Sequence, residues 1–136
     1  MATLVLTNAD VTINSVDLSD HGIDVAISYE SEGKEDTAFQ DTTRTFIGGF
    51  LNWSMEFQFN QDFAASTVDV TMFPIVGTAV PIIVRPTATT VSATNPNYTG
   101  TGLITAYNPF PGGDFGEVAK ATVSVLAAGV LSRATT

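Results

Sequence analysis

Five carboxylates, Glu30, Glu32, Glu35, Asp36 and Asp41, crowd one stretch of this chain, residues 30–49 (ESEGKEDTAFQDTTRTFIGG), together with Lys34 and Arg44. Oxygen ligands at this density are what calcium needs, but a calcium loop sets them at closely alternating positions around a sharp glycine turn. Here Lys34 follows Gly33 directly and the D-x-[DN]-x-[DN]-G order is absent. The stretch therefore reads as a solvated or partner-facing segment. Paired acids could also hydrolyse a glycosidic bond at carboxyl separations of about 5–9.5 Å. That chemistry needs an aromatic-lined sugar cleft, and the single tryptophan, Trp53, reads as core. Arg44, among Asp36, Asp41 and several threonines, suits bidentate pairing with a carboxylate. Its partner lies either in the same stretch or on a neighbouring subunit.

The rest of the sequence carries little chemistry. There is no cysteine, so disulfides and thiolate metal sites are excluded. A lone histidine, His21, cannot build a multi-histidine metal site, and beside Asp20 and Gly22 it reads as a turn residue. The signatures G-x-S-x-G, G-x-x-x-x-G-K-[ST] and H-E-x-x-H are missing. Fourteen acids against five bases give a net charge of −9, which excludes a phosphate-neutralising patch but suits a surface along which DNA slides without sticking. Trp53, Phe57 and Phe59 alternate with neutral polar residues and Glu56 rather than with bases, unlike a single-strand stacking platform. No catalytic residue, metal or cofactor is expected. Apolar residues make up 44 % of the chain, so the acidic surplus would keep it soluble while apolar surface awaits a partner.

The elements that would position these residues are strands. Residues 3–6 and 11–16 are β-branched runs parted by Asn8-Ala9-Asp10, and 17–22 is a turn cluster. Residues 23–29 alternate Ile23, Val25, Ile27, Tyr29 against Asp24, Ala26, Ser28, the period of a strand with one buried face. Residues 50–60 do the same, with Leu51, Trp53, Met55, Phe57 and Phe59 forming a core wall. Between these two strands, residues 30–49 would be a loop of roughly twenty residues, where four to six is typical. Such a loop is expected to be functional or ordered by a partner. Residues 62–76 predict a short helix of about two turns, with Ser66 and Asp69 as a capping box, Pro74 as its stop and Gly77 as its exit. Further strands are expected at 80–84, 98–107 and 117–127, with a turn-rich break at 108–116 and a small tail at 130–136. The fold class is mainly β: an antiparallel β-sandwich or partly closed barrel, in one domain over 1–136, with one short flanking α-helix. Open sheet edges in such a fold favour pairing across subunits. The N-terminal MATLVLTNAD has no basic region, apolar core or cleavage site, and no run approaches a membrane helix of ~20 apolar residues. The expectation is a chain made in, and soluble in, a cytosol, without membrane insertion.

In order and spacing these pieces resemble the major tail tube proteins of long-tailed (siphovirus-type) bacteriophages, particularly those of actinobacterial phages. The matching segments are 6–19 (LTNADVTINSVDLS), 35–49 (EDTAFQDTTRTFIGG), 53–65 (WSMEFQFNQDFAA), 84–100 (VRPTATTVSATNPNYTG) and 131–136 (LSRATT), so the likeness covers essentially the whole chain. The resemblance implies a virion structural protein, assembled in the host cytoplasm. Its subunits form homohexameric rings whose inner strands join into one barrel, and the rings stack into a tube. Tape measure and tail terminator proteins would be its partners, with double-stranded DNA passing through at ejection. Residues 30–49 would be the inter-ring loop, with Glu35, Asp36, Thr37, Phe39, Asp41, Arg44 and Phe46 as subunit-interface residues. Trp53, Met55, Phe57 and Phe59 would be core. The alternative is another phage β-sandwich, such as a capsid decoration or tail terminator protein.

Overall fold

The computed structural model describes residues 3, 5–112 and 115–136. Its strands are β1 (Asp10–Ile13), β2 (Val16–Asp17), β3 (Gly22–Glu35), β4 (Phe46–Asn60), β5 (Ala79–Arg85), β6 (Asn97–Asn108), β7 (Lys120–Ala127) and β8 (Ser132–Ala134). One short helix, α1 (Val68–Met72), runs on into a 3-10 turn, Phe73–Ile75. The strands form a single antiparallel sheet in the order β2-β1-β5-β6-β7-β4-β3, with β8 added to β6. The fold is thus mainly antiparallel β with one flanking helix, and the sheet does not close into a barrel. Its two ends approach each other through the 3-10 turn Ser19–His21, where Leu18 N–H donates to Val11 O (2.9 Å) and Val11 N–H to Ser19 Oγ (2.8 Å). A cleft of about 830 Å³ between residues 6–11 and the start of β3 marks the open seam.

The core lies on one face of this sheet. Trp53, Met55, Phe57 and Phe59 of β4 are buried, with Val11 and Ile13 of β1, Ile82 of β5, Ile104 of β6, Val123 and Val125 of β7, and Val68 and Met72 of α1. Each such side chain contributes about 1.5–3 kcal/mol on burial, so β4 alone is a major source of stability. The Trp53 indole N–H donates to Gly129 O at 2.9 Å, and its ring lies over Gly100 and Gly102. A Cβ at Gly102 would collide with Val125, so this glycine is there to admit the tryptophan and its neighbours.

Several local expectations are corrected. Residues 11–16 are not one strand: the chain reverses at Asn14 (φ 52°) and Ser15 (φ 67°), a two-residue hairpin turn with both residues left-handed. Apolar residues on both sides of the reversal hide it from a pattern reading. Of residues 3–6, Thr3, Val5 and Leu6 lie in no strand, and Leu4 falls outside the described residues. The helix is present but shorter, and the capping box does not form: Thr67 is its N-cap, without a side-chain cap. Thr67 Oγ1 instead donates to Asp62 O at 3.1 Å, and the Asp69 carboxylate is held by Tyr107. Gly77 does end this segment, at φ 85°, where a side chain would be strained. The tail is structured, because β8 pairs with β6 at Asn97–Thr99. The break at 108–116 is irregular, with Gly113 and Asp114 outside the described residues.

Candidate assembly surface

Residues 30–49 are not a long loop. β3 and β4 stay paired from Gly22↔Phe59 through Tyr29↔Trp53 and on to Glu35↔Phe46, so the loop proper is only 36–45. The third strand, however, stops early: β7 pairs with β4 only from Ser54↔Leu126 to Asn60↔Lys120. Beyond that point β3 and β4 continue as a free two-stranded ribbon, exposed at every residue from Glu30 to Glu35 and from Phe46 to Asn52. At ~3.3 Å per residue the stretch Glu30–Glu35 projects roughly 17 Å beyond the body. With neither face buried, the ribbon shows no period-two pattern, and its glycines and charges imitate a loop.

A bulge near the base rearranges its faces. Ser31 opposes Leu51 and Gly33 opposes Gly48, so Gly49 and Phe50 together oppose Glu32. Directly opposed residues share a face. Tyr29, Leu51 and Phe46 therefore continue the face of the core wall, while Ile47 and Phe50 lie on the other. All five are exposed, Phe50 at 84 %. Leu51, expected in the core wall, is 65 % exposed because β7 does not extend to cover it.

The tip is held by its own polar groups. Asp36 N–H donates to Thr45 O (3.0 Å) and Thr45 Oγ1 to Asp36 Oδ1 (2.6 Å). Thr37 Oγ1 donates to Glu35 Oε2 and accepts from Thr45 N–H, both at 3.0 Å. Asp41 Oδ2 accepts from Ala38 N–H at 2.7 Å, closing the turn that carries Gln40 at φ 76°. Phe39 projects from this turn fully into solvent. Arg44 finds its carboxylate in the same ribbon, Glu35, at 3.7 Å and well exposed, a geometry of little worth to stability. The acids are spread along the ribbon, and no metal-holding group of three occurs among the described residues. The expected interface residues Glu35, Asp36, Thr37, Phe39, Asp41, Arg44 and Phe46 all lie on this ribbon or its tip; Ile47 and Phe50 join them, as do Tyr29 and Leu51, which the alternation places on buried faces. The signal for Ile47, Phe50 and Leu51 was their clustering around Gly48-Gly49, with no third strand long enough to cover them.

A two-stranded hairpin alone is marginal in water, and this one exposes six large apolar side chains, Phe39 among them. The arrangement can bury surface against another molecule. No protein-family model matches the sequence, and neither does any curated protein. Solved structures do match. A chain in the virion of a native gene transfer agent particle superposes with a TM-score of 0.72 at 17% identity, covering 93% of this chain and 95% of that one. A chain in the tail of an empty gene transfer agent particle, refined helically with C6 symmetry, gives 0.65 at 17% identity over 82% and 81%. A chain in the six-fold symmetrised baseplate of the anti-feeding prophage gives 0.58 at 10% identity over 98% and 97%. The same fold thus occurs in chains of a virion, a tail and a baseplate. At these identities the likeness is one of fold.

The end of the body opposite the ribbon is built differently. Where β4 leaves the sheet, Gln61 Nε2 donates to Tyr107 Oη and to Pro109 O, each at 3.0 Å. Tyr107 Oη donates to Asp69 Oδ1 at 2.8 Å; burial pushes this phenol up to about 12, so it stays a neutral donor. His21 lies between two carboxylates, Nε2 to Asp62 (2.8 Å) and Nδ1 to Asp20 (2.9 Å). The hydrogen bond to Asp62, then that to Asp20, raises its pKa above 6.5 against partial burial. The His21 contact in turn lowers the pKa of Asp62. His21 is thus a clasp between the β2–β3 connection and the β4–α1 connection.

Proposed function

We propose that this chain is a structural virion protein, the tail tube subunit of a long-tailed phage of the actinobacterial type or of a kindred particle. Its copies form homohexameric rings that stack into a conduit for double-stranded DNA, with residues 1–136 as one tube domain and the 30–49 ribbon as the inter-ring arm. The observation that carries this reading is the free β3–β4 ribbon, an unsupported apolar hairpin on a tail-type body. Such a hairpin is covered when another copy receives it. Tape measure and tail terminator proteins are the further partners this role requires, and DNA passage would be transient and independent of sequence. The acidic surplus of −9 suits a conduit that does not hold phosphate. No catalytic role or cofactor is assigned.

The fold likeness to a baseplate chain favours one runner-up, a ring-forming adaptor that stops at a single ring. Negative-stain microscopy with analytical ultracentrifugation of the full chain over a concentration series separates the two. Tubes of indefinite length support the tube subunit, and discrete rings support the adaptor. A monomer that persists at the highest concentrations sinks both.

A further inference from the structure

The bulge in the ribbon decides which apolar side chains share a face, and no buried face fixes where that bulge sits. Register is strongly specified only where one face of a strand is buried. From Glu30 to Glu35 and from Phe46 to Asn52 neither face is. In the observed register Lys34 opposes Ile47 and Glu35 opposes Phe46, so Phe46 stands with Tyr29 and Leu51. Pairing continued from Ser31↔Leu51 without a bulge would set Lys34 opposite Gly48 and Glu35 opposite Ile47. A slip of one residue moves side chains to the other face. Ile47 would then replace Phe46 beside Tyr29 and Leu51, and Phe46 would join Phe50.

One side chain holds the bulge in place. The extra residue of a bulge is left without a ladder partner, and here Phe50 N–H donates to Glu32 Oε2 at 3.3 Å. The other carboxylate oxygen, Oε1, lies 3.6 Å from Lys34 Nζ, so the group is held from both sides. Gly49 makes room for it. A Cβ there would stand 3.0 Å from Glu32 Oε2 and 3.1 Å from Glu32 Cβ, inside the roughly 3.5–4.0 Å that packed carbons prefer. The bonds between Asp36 and Thr45 at the tip agree with this register, but they are exposed and compete with water.

We propose that Glu32 is a positioning residue: its carboxylate pins the bulge at Gly49-Phe50 and so sets Phe46, rather than Ile47, beside Tyr29 and Leu51 on one face of the arm. The bearing of this register on assembly rests on the tube reading, since a partner that receives the arm meets one set of faces and not the other.

Cross-strand nuclear Overhauser contacts of the full chain, recorded below the concentration at which it assembles, read the register directly. The unmodified chain and Glu32→Gln, which keeps an acceptor oxygen, should both show Lys34 against Ile47. Glu32→Ala should lose that contact and show Lys34 against Gly48. Gly49→Ala, whose Cβ displaces the carboxylate, should act like Glu32→Ala and add nothing to it in the double variant. The melting transition of the body should stay in place throughout, while Glu32→Ala grows fewer tubes and Glu32→Gln grows them normally. An intact Lys34–Ile47 contact in Glu32→Ala, or a slip in Glu32→Gln equal to that of Glu32→Ala, overturns the pin. A slipped variant with normal tubes overturns the role of register in assembly. An unmodified chain that never assembles overturns the tube reading, and the register spectra still decide on Glu32.

Discussion

The two halves of the β3–β4 hairpin are the same pair of strands in two situations. From Ser28↔Ser54 to Gly22↔Phe59 a third strand, β7, completes the sheet, and the β4 side chains facing the core are buried. From Glu30↔Asn52 to Glu35↔Phe46 no third strand follows, and Phe46, Phe50 and Leu51 are exposed. Equivalent apolar residues are therefore buried in the core in one half and exposed to solvent in the other. Burial and exposure of apolar side chains are thus separated along a single hairpin.

Removing the ribbon is the most severe test of that separation. Replacing 31–51 by an Asn-Gly turn joining Glu30 to Asn52 should abolish assembly, leaving a monomer with native circular dichroism. Tubes of normal length from that variant would break the comparison outright. Next in size is a matched pair of truncations. Phe57→Ala in the buried half should lower unfolding free energy by about 3–5 kcal/mol. Phe50→Ala in the free half should change it by no more than about 0.5 kcal/mol yet impair assembly. Urea titrations of the two, beside tube yield, read both quantities.

A pH experiment probes the body without touching the ribbon. His21 has a raised pKa in the folded state, so its stabilisation is complete below 6.5 and fades as pH rises through the raised value. Asp62 has a lowered pKa, so its contribution is complete above 3.8 and fades as pH falls through the depressed value. The clasp therefore favours the folded state most between these limits, and melting temperature should decline as pH rises above 6.5. His21→Gln should flatten that decline; an unchanged profile would show that the clasp is not its origin. The smallest effect is expected from Arg44→Glu, because its partner is the exposed Glu35 of the same ribbon. Monomer stability should move by no more than about 0.5 kcal/mol. A marked loss of tube growth in that variant would mean that Arg44 changes partners on assembly.

Strand character was readable wherever one face was buried. The alternation in 50–60 locates the β4 core wall, and that in 23–29 locates β3, because a half-buried strand imposes a period of two; of the face expected to be buried there, Val25 and Ile27 pack on the core while Ile23 and Tyr29 are exposed. The ribbon was unreadable for the complementary reason. With water on both faces nothing selects alternate residues, and the bulge at Gly49-Phe50 shifts what pattern remains. The reversal at Asn14-Ser15 and the engagement of Asp69 by Tyr107 were likewise hidden. The first is local backbone geometry that asparagine tolerates. The second is a contact between residues far apart in the chain.

The sequence by itself determined that this is a β protein without thiol chemistry, acidic, richer in apolar side chains than its charge alone would suggest, and with one strand, 50–60, as its core wall. Only the tertiary structure decided where that wall ends. Whether Leu51 and Phe50 are core or contact depends on β7 reaching Ser54 and no further. That limit is a long-range pairing between residues 54 and 126, and no local pattern around residue 50 can encode it.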